Sequence, residues 1–137
     1  MKTIFNLFFF LFLSASALYG QCQFVFVSTT GTPTAAGTQQ DPVDINTAFL
    51  TTPDNGYIRL ATGTYNVDNS LSLNGNNIMV EGGFIAAQAW TKTSLAGATT
   101  IYRSALNVQG PMIAPRLSVF EILGKNDFRL QDITIQV

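Results

Sequence analysis

From Tyr57 onward the chain is written in short beats of alternating apolar and polar residues: "YIRL", "TYNV", "LSL", "IMV", "TTIY", "ALNV", "LSVFEIL", "FRL" and "DITIQV". A period of two puts every second side chain on one face, so each beat predicts a strand with one buried side. Gly, Asn, Asp, Thr or Pro separates the beats. Beats this short gain little as hairpins, and almost none is joined to the next by a two-residue Asn-Gly turn. Upstream the texture differs. "FVFVS", residues 24–28, is a β-branched and aromatic strand, and "TTGTPTAAGTQQ", residues 29–40, is a polar loop. "DPVDINTAFLTTP" then predicts a helix of about two turns. Asp41 is its expected cap, Pro42 suits the first helical position, and Asp44 adds negative charge to the first turn. Val43, Thr47 and Leu50 line one stripe, with Ile45, Ala48 and Phe49 beside it. Pro53 and "DNG" end it. So short a helix must lie on an apolar surface to be stable.

Two stretches say the same thing at an offset of fifty residues: "LSLNGNNIMVEGGF", residues 71–84, and "EILGKNDFRLQDITI", residues 121–135. Asn74 to Asn77 align with Gly124 to Asp127, Ile78 with Phe128, Val80 with Leu130 and Ile85 with Ile135. Self-similarity of this kind predicts a solenoid, in which each unit buries its face only against the next. Ile58 to Ile78 is twenty residues and Ile78 to Ile101 twenty-three, so the offset reads as two coils rather than one. A coil corner needs a left-handed or tightly bent residue, which Gly and Asn tolerate. Stacked corner Asn side chains can also hydrogen-bond along their column. Leu71, Leu73, Ile78 and Val80 then point into one narrow core, and neighbouring coils pair as parallel strands about 4.8 Å apart.

Composition changes the picture at the N-terminus. The chain has 137 residues, 47% hydrophobic and 11% charged, which bounds it to one domain at most. Five of its eleven Phe fall in the first twenty residues, where Met1-Lys2 precedes "LFFFLFL" and the small-residue exit "SASALYG". This three-part pattern is that of a secretory signal peptide and is too short to span a membrane. Cleavage falls after Ala17 or after Gly20. Losing residues 1–20 removes one basic residue, Lys2, so seven basic and eight acidic residues become six and eight. No basic cluster offers nucleic acid an electrostatic footprint. The single cysteine, Cys22, allows no internal disulfide. Gln21 stands where a bacterial lipobox has a small residue, so Cys22 reads as a free thiol rather than a lipid anchor.

The loop "FVSTTGTPTAAGTQQDPV", the short helix, and then "IRLATGTYNV", "LSLNGNNIMVEGGF" and Trp90 resemble the start of a right-handed parallel β-helix of the pectin-lyase-like superfamily, of the bacterial secreted or cell-surface kind. The resemblance covers residues 24–137. "GTY" at Gly63 to Tyr65 and "GGF" at Gly82 to Phe84 are its most specific marks, and they specify architecture better than activity. It implies an all-β fold, a right-handed parallel β-helix with an N-terminal cap containing one short α-helix. Residues 1–20 are then the signal peptide, 21–56 the cap, and 57–137 the first coils. Gly82-Gly83, opposite Asp132-Ile133 in the repeat, marks an exit into the excursion "IAAQAWTKTSLAGA". Trp90 either packs that excursion on the coil or offers a stacking platform to a glycan.

The absence of histidine removes His-based triads, His bases and His metal sites. Carboxylates, Arg and Lys remain. The resemblance implies two chemistries for them: acidic residues holding Ca²⁺ beside a basic residue in lyases, and paired carboxylates in glycosidases. The charged constellation is Glu121, Lys125, Asp127, Arg129 and Asp132. At period two Asp127 and Arg129 share a face, opposite inward Phe128 and Leu130, and they are the catalytic candidates. A solvated outer face explains the same pattern. Arg59, between Ile58 and Leu60, points outward. Asp68, Asn69 and the Asn74 to Asn77 corner are the Ca²⁺ candidates, although corner hydrogen bonding accounts for them without a metal.

The expectation is therefore a secreted or surface β-helix acting as a binding or structural module, adhesin-like, touching a glycan or another surface. The alternative is the N-terminal part of a β-helix polysaccharide lyase or glycoside hydrolase whose catalytic coils lie beyond Val137. "DITIQV" brings Ile133, Ile135 and Val137 inward and stops without a polar cap. This predicts a longer β-helix, and self-association through the bare edge from Leu130 to Val137.

Overall fold

The computed structural model describes residues 23–106 and 118–137. The expected leader, its cleavage point and Cys22 lie outside these residues. Strands dominate: β1 (Phe24–Thr32), β2 (Tyr57–Ala61), β3 (Gly63–Val67), β4 (Leu71–Ser72), β5 (Met79–Ile85), β6 (Thr91–Lys92), β7 (Thr99–Arg103), β8 (Phe120–Glu121), β9 (Arg129–Gln131) and β10 (Thr134–Gln136). One short helix, α1 (Ile45–Thr51), precedes β2. The class is all-β with parallel sheets. No helix among the described residues is long and apolar enough to cross a membrane.

The strands form three sheets. In the first, β1, β2, β5 and β9 lie parallel, and β6 folds back antiparallel on β5. The second is β3, β7 and β10, and the third is β4 and β8, all parallel. The chain visits the sheets in a constant order, which is why its beats are short and, β5 and β6 apart, not hairpinned. Register sets the inward side chains in columns: Val25, Ile58, Val80 and Leu130 in the first sheet; Tyr65, Ile101 and Ile135 in the second; Leu71 and Phe120 in the third. Ile58, Val80, Ile101 and Leu71 are buried in one core with Leu73 and Ile78. Tyr65 lies in it too, and its hydroxyl is shared between the carbonyls of Val27 and Ala61, both at 3.0 Å. Burial pushes that phenol far above its usual pKa.

The offset of fifty is one step of this stack, not two. Val80 pairs with Leu130 and Met79 with Arg129, whereas Ile58 pairs with Val80 twenty-two residues on. Ile101 lies in a different sheet from Met79 and Val80, so its spacing from Ile78 marks no step. The second circuit is longer because it carries extra chain after β5 and after β7.

The Asn corner is a ladder, as the repeat suggested. Asn55, Asn77 and Asp127 are left-handed, with φ of 63°, 52° and 55°. The Asn77 side-chain amide donates to Asn55 Oδ1 at 2.8 Å. Beside it, Asp54 Oδ1 accepts from the Asn76 backbone N–H at 2.7 Å, and the Asn126 N–H reaches Asn76 Oδ1 at 3.3 Å. The corner is thus spelled "DN", "NN" and "ND" at residues 54, 76 and 126. The first of these looked like a helix stop. Asn and Asp suit it because they alone, with Gly, hold this conformation cheaply and also carry a side chain that bonds along the column.

One end of the core is closed by β1 and α1. The Phe26 N–H donates to the Gly37 carbonyl at 2.9 Å, and Val43 bridges both Val27 and Thr32. Gly31 is required here, since a Cβ would stand 2.1 Å from the Val43 carbonyl oxygen. Because residue 43 is held extended, the helix starts later than expected. Asp44, not Asp41, is the cap, accepting from the N–H groups of Asn46 and Thr47 at 3.0 and 3.1 Å. Asp41 instead closes the loop, accepting from the Ala36 N–H at 2.8 Å. Ile45, Ala48 and Phe49 are buried and Leu50 is exposed. Phe49 stacks on Phe120 and meets Phe128 edge-on. At the opposite end Leu130 and Ile135, expected inside, are 38% and 46% exposed, and Ile133 is half-buried. They stand in inward columns, but no further strand covers them among the described residues.

Candidate functional site

The outer wall of the first sheet carries the chemistry. Register places Phe26, Arg59, Glu81 and Gln131 side by side. Arg59 points outward as expected, but aromatic rings cover it. Its guanidinium lies 4.2 Å from the Phe24 ring centre and 5.0 Å from that of Phe84, and Lys92 Nζ lies 4.9 Å from Phe84 on. Cations and rings therefore alternate across the wall.

Gly82-Gly83 do not end the strand. Arg59 pairs with Glu81 and Ala61 with Phe84, so β5 holds one residue more than β2 over this span. The glycines form the bulge, with Gly83 at φ 84°. The bulge turns Phe84 onto the outer wall, where it joins Phe26, Ala61 and Trp90 in a second small cluster. The excursion leaves only after Ile85 and returns as β6 against Phe84 and Ile85. Trp90 anchors it: the indole is 5% exposed, edge-on to Phe26 at 4.9 Å, and donates its N–H to the Gln39 carbonyl at 3.1 Å. No open ring face is left for a sugar, so packing describes Trp90 and glycan stacking does not.

This return brings three charges together. Lys92 Nζ lies 2.5 Å from Glu81 Oε1 and 2.7 Å from Asp132 Oδ2. Burial alone would depress the Lys92 pKa, but hydrogen bonds and charge from both carboxylates outweigh it and hold the pKa above its usual value. The Lys92 hydrogen bond holds the Asp132 carboxyl below its usual range. Asp132 sits at the left-handed corner between β9 and β10. Gly82 permits this approach, since a Cβ there would stand 2.5 Å from the Asp132 carbonyl oxygen. A cleft of about 570 Å³ opens beside the cluster, between residues 92–97 on one side and 132–134 on the other.

The charged constellation expected from sequence is dispersed. Asp127 is exposed and serves the corner ladder, whereas Arg129 lies in β9 beside Met79. No hydrogen bond or ion pair joins these two catalytic candidates. Arg129 lines a smaller hollow of about 270 Å³ with Asn55, Tyr57 and Asn77. Lys125 donates to the Asn74 carbonyl. Asp68 and Asn69 are exposed, and no group of three or more His, Cys, Asp or Glu gathers as a metal set among the described residues. The convergence of Glu81, Lys92 and Asp132 was missed. Its signal was present: the repeat sets Asp132 opposite Gly82, one residue from Glu81.

No family model matches the chain, and comparison with curated proteins and with solved structures gave no match either.

Proposed function

We propose that the chain is a right-handed parallel β-helix of the pectin-lyase-like kind, exported to the cell exterior, where it serves as an adhesin-like binding or structural module that contacts a glycan-bearing surface. The constant order of the three parallel sheets and the Asn ladder support the coil reading. The observation that carries binding over catalysis is the state of Lys92. A lyase needs a basic group able to take a proton, and a glycosidase needs two carboxylates free to act on a bond. Here one ammonium occupies both carboxylates, and they raise its pKa, so it stays charged and does not act as a base at neutral pH.

The test is direct. The purified protein is incubated with acidic and neutral polysaccharides, and binding and product release are followed together. Retention on a polysaccharide or cell surface without cleavage is expected. Unsaturated uronate products or new reducing ends, lost in Lys92→Ala or Asp132→Asn, would overturn the reading in favour of a lyase or hydrolase. The bare edge at Leu130 and Ile135 is proposed to self-associate, because unpaired strand edges template pairing. Sedimentation should show concentration-dependent oligomers that Leu130→Lys abolishes.

A further inference from the structure

We infer that the cleft beside Lys92 and Asp132 is a binding site for an uncharged saccharide. The inference rests on the binding-module reading above and gives it a place and a ligand class. The cleft of about 570 Å³ lies within the range of pockets that hold small organic ligands. Its two walls come from different circuits of the chain: Lys92, Thr93 and Ser94 from the returning excursion, Asp132, Ile133 and Thr134 from the last corner.

The polar groups on these walls are of two kinds. Some are already engaged. Lys92 is taken by two carboxylates, Asp132 Oδ2 by Lys92 and by the Gln131 amide, and Thr93 Oγ1 accepts the Leu95 N–H at 3.2 Å. Others have no hydrogen-bond partner among the described residues: Asp132 Oδ1 and the hydroxyls of Ser94 and Thr134. That leaves one anionic acceptor and two groups able both to donate and to accept. A ring of hydroxyls satisfies such a set, since each sugar hydroxyl donates once and accepts as well. Half-buried Ile133 supplies apolar surface for the C–H face of a sugar.

Charge selects further. Glu81, Asp132 and Lys92 together carry one net negative charge, and the one cation lining the cleft among the described residues, Lys92, is paired. An anionic sugar brought into the cleft would meet the exposed side of Asp132, 52% accessible, with no free cation to receive it. A neutral sugar meets no such opposition. The hydroxyl chemistry and the charge balance therefore both point away from uronates.

The experiment is calorimetric titration of the purified protein with neutral tetrasaccharides (an α-glucan, a β-glucan and a β-galactan) and with tetragalacturonate. At least one neutral tetrasaccharide should bind about tenfold or more tighter than tetragalacturonate. Ser94→Trp fills the cleft from an exposed position without touching the ion cluster, and should cut that affinity at least about tenfold with thermal unfolding unchanged. Asp132→Asn keeps a residue suited to the left-handed corner and removes the anionic acceptor, and should weaken neutral binding while narrowing the gap to the acidic ligand. Equal or tighter binding of tetragalacturonate overturns the inference, as does neutral binding that survives Ser94→Trp. If the unaltered protein still adheres to a cell-surface polysaccharide and Ser94→Trp adheres equally, the cleft is not the site while the binding-module reading stands. If it binds neither tetrasaccharides nor polysaccharide, both fall.

Discussion

The two ends of the stack are built from the same kinds of side chain and meet opposite fates. At the β1 end an inward phenylalanine, Phe49, is fully buried, because α1 brings it over the third sheet and residues 37–43 cover the edge of β1. At the β10 end an inward isoleucine, Ile135, stands in register with buried Ile101 and is still 46% exposed. Position in a column makes a residue a core residue only when a further layer lies above it. In these parallel sheets burial of an inward side chain is decided by whether a further layer covers its strand.

The sharpest way to break this comparison is to empty both positions. Phe49→Ala removes two ring contacts from a packed site and should cost about 3–5 kcal/mol in chemical denaturation. Ile135→Ala removes a side chain that is already nearly half in solvent, leaves no enclosed cavity, and should cost under about 1 kcal/mol. Similar losses at both positions would show that the β10 edge is covered in solution. That result would also strengthen the case for self-association, since the measured oligomer would then be the cover.

Next in size is the cap. Asp44 satisfies two N–H groups at the start of a helix of seven residues, which has little stability of its own. Asp44→Ala should cost about 1 kcal/mol. Asp41→Ala should cost less, since it closes an exposed loop. An inverted order would mean that the loop, rather than the helix, holds the closed end together.

How much of this was legible in the sequence depends on range. Most period-two beats became strands, since alternation reports one buried face directly, whereas "ALNV" opens as a turn at Ala105 and Leu106 and runs outside the described residues. The corner column was visible because Asn and Gly announce left-handed backbone. The length of a step was misread. Twenty-residue and fifty-residue circuits leave equal marks on a strand, and only pairing tells how much chain loops out between them. The helix cap was misplaced by three residues because Pro42 reads as helical, whereas the bridge from Val43 to β1 holds that segment extended. The site lay deepest. Lys92 meets Glu81 through a bulge that moves the strand's end by one residue, and Asp132 through the step whose length was misread.

A smaller effect comes from the ladder at the corner. The Asn76 backbone N–H, with its side-chain amide, holds the Asp54 carboxyl below its usual pKa. A carboxylate with a depressed folded pKa contributes stability that is present above its unfolded value and is lost as pH falls through the folded one. Stability should therefore drop below about pH 4, and Asp54→Asn should flatten that part of the profile by lowering stability modestly at pH 7 while changing little at the acid end. Asp132 adds to the same acid limb through Lys92. Denaturant midpoints for Asp54→Asn between about pH 3 and pH 7 decide it, and an unchanged acid limb would remove the corner from the account.

The smallest expected effect belongs to the residue that sequence alone made most chemical. Arg129 lies on the outermost strand of the first sheet, exposed, at the open end of the stack. Its register neighbour Met79 carries no charge, and Asp127 two residues away is turned into the corner by its left-handed backbone. A surface side chain with no ion pair contributes little beyond its own solvation. Arg129→Ala should change stability by no more than about 0.5 kcal/mol and leave saccharide binding intact. A larger loss of stability would mean that the β9 edge is an interface, with Arg129 paired to a second molecule. Polysaccharide cleavage that depends on Arg129 would be graver, because it would place chemistry at a residue whose surroundings, among the described residues, supply neither an ion pair nor a second charged group.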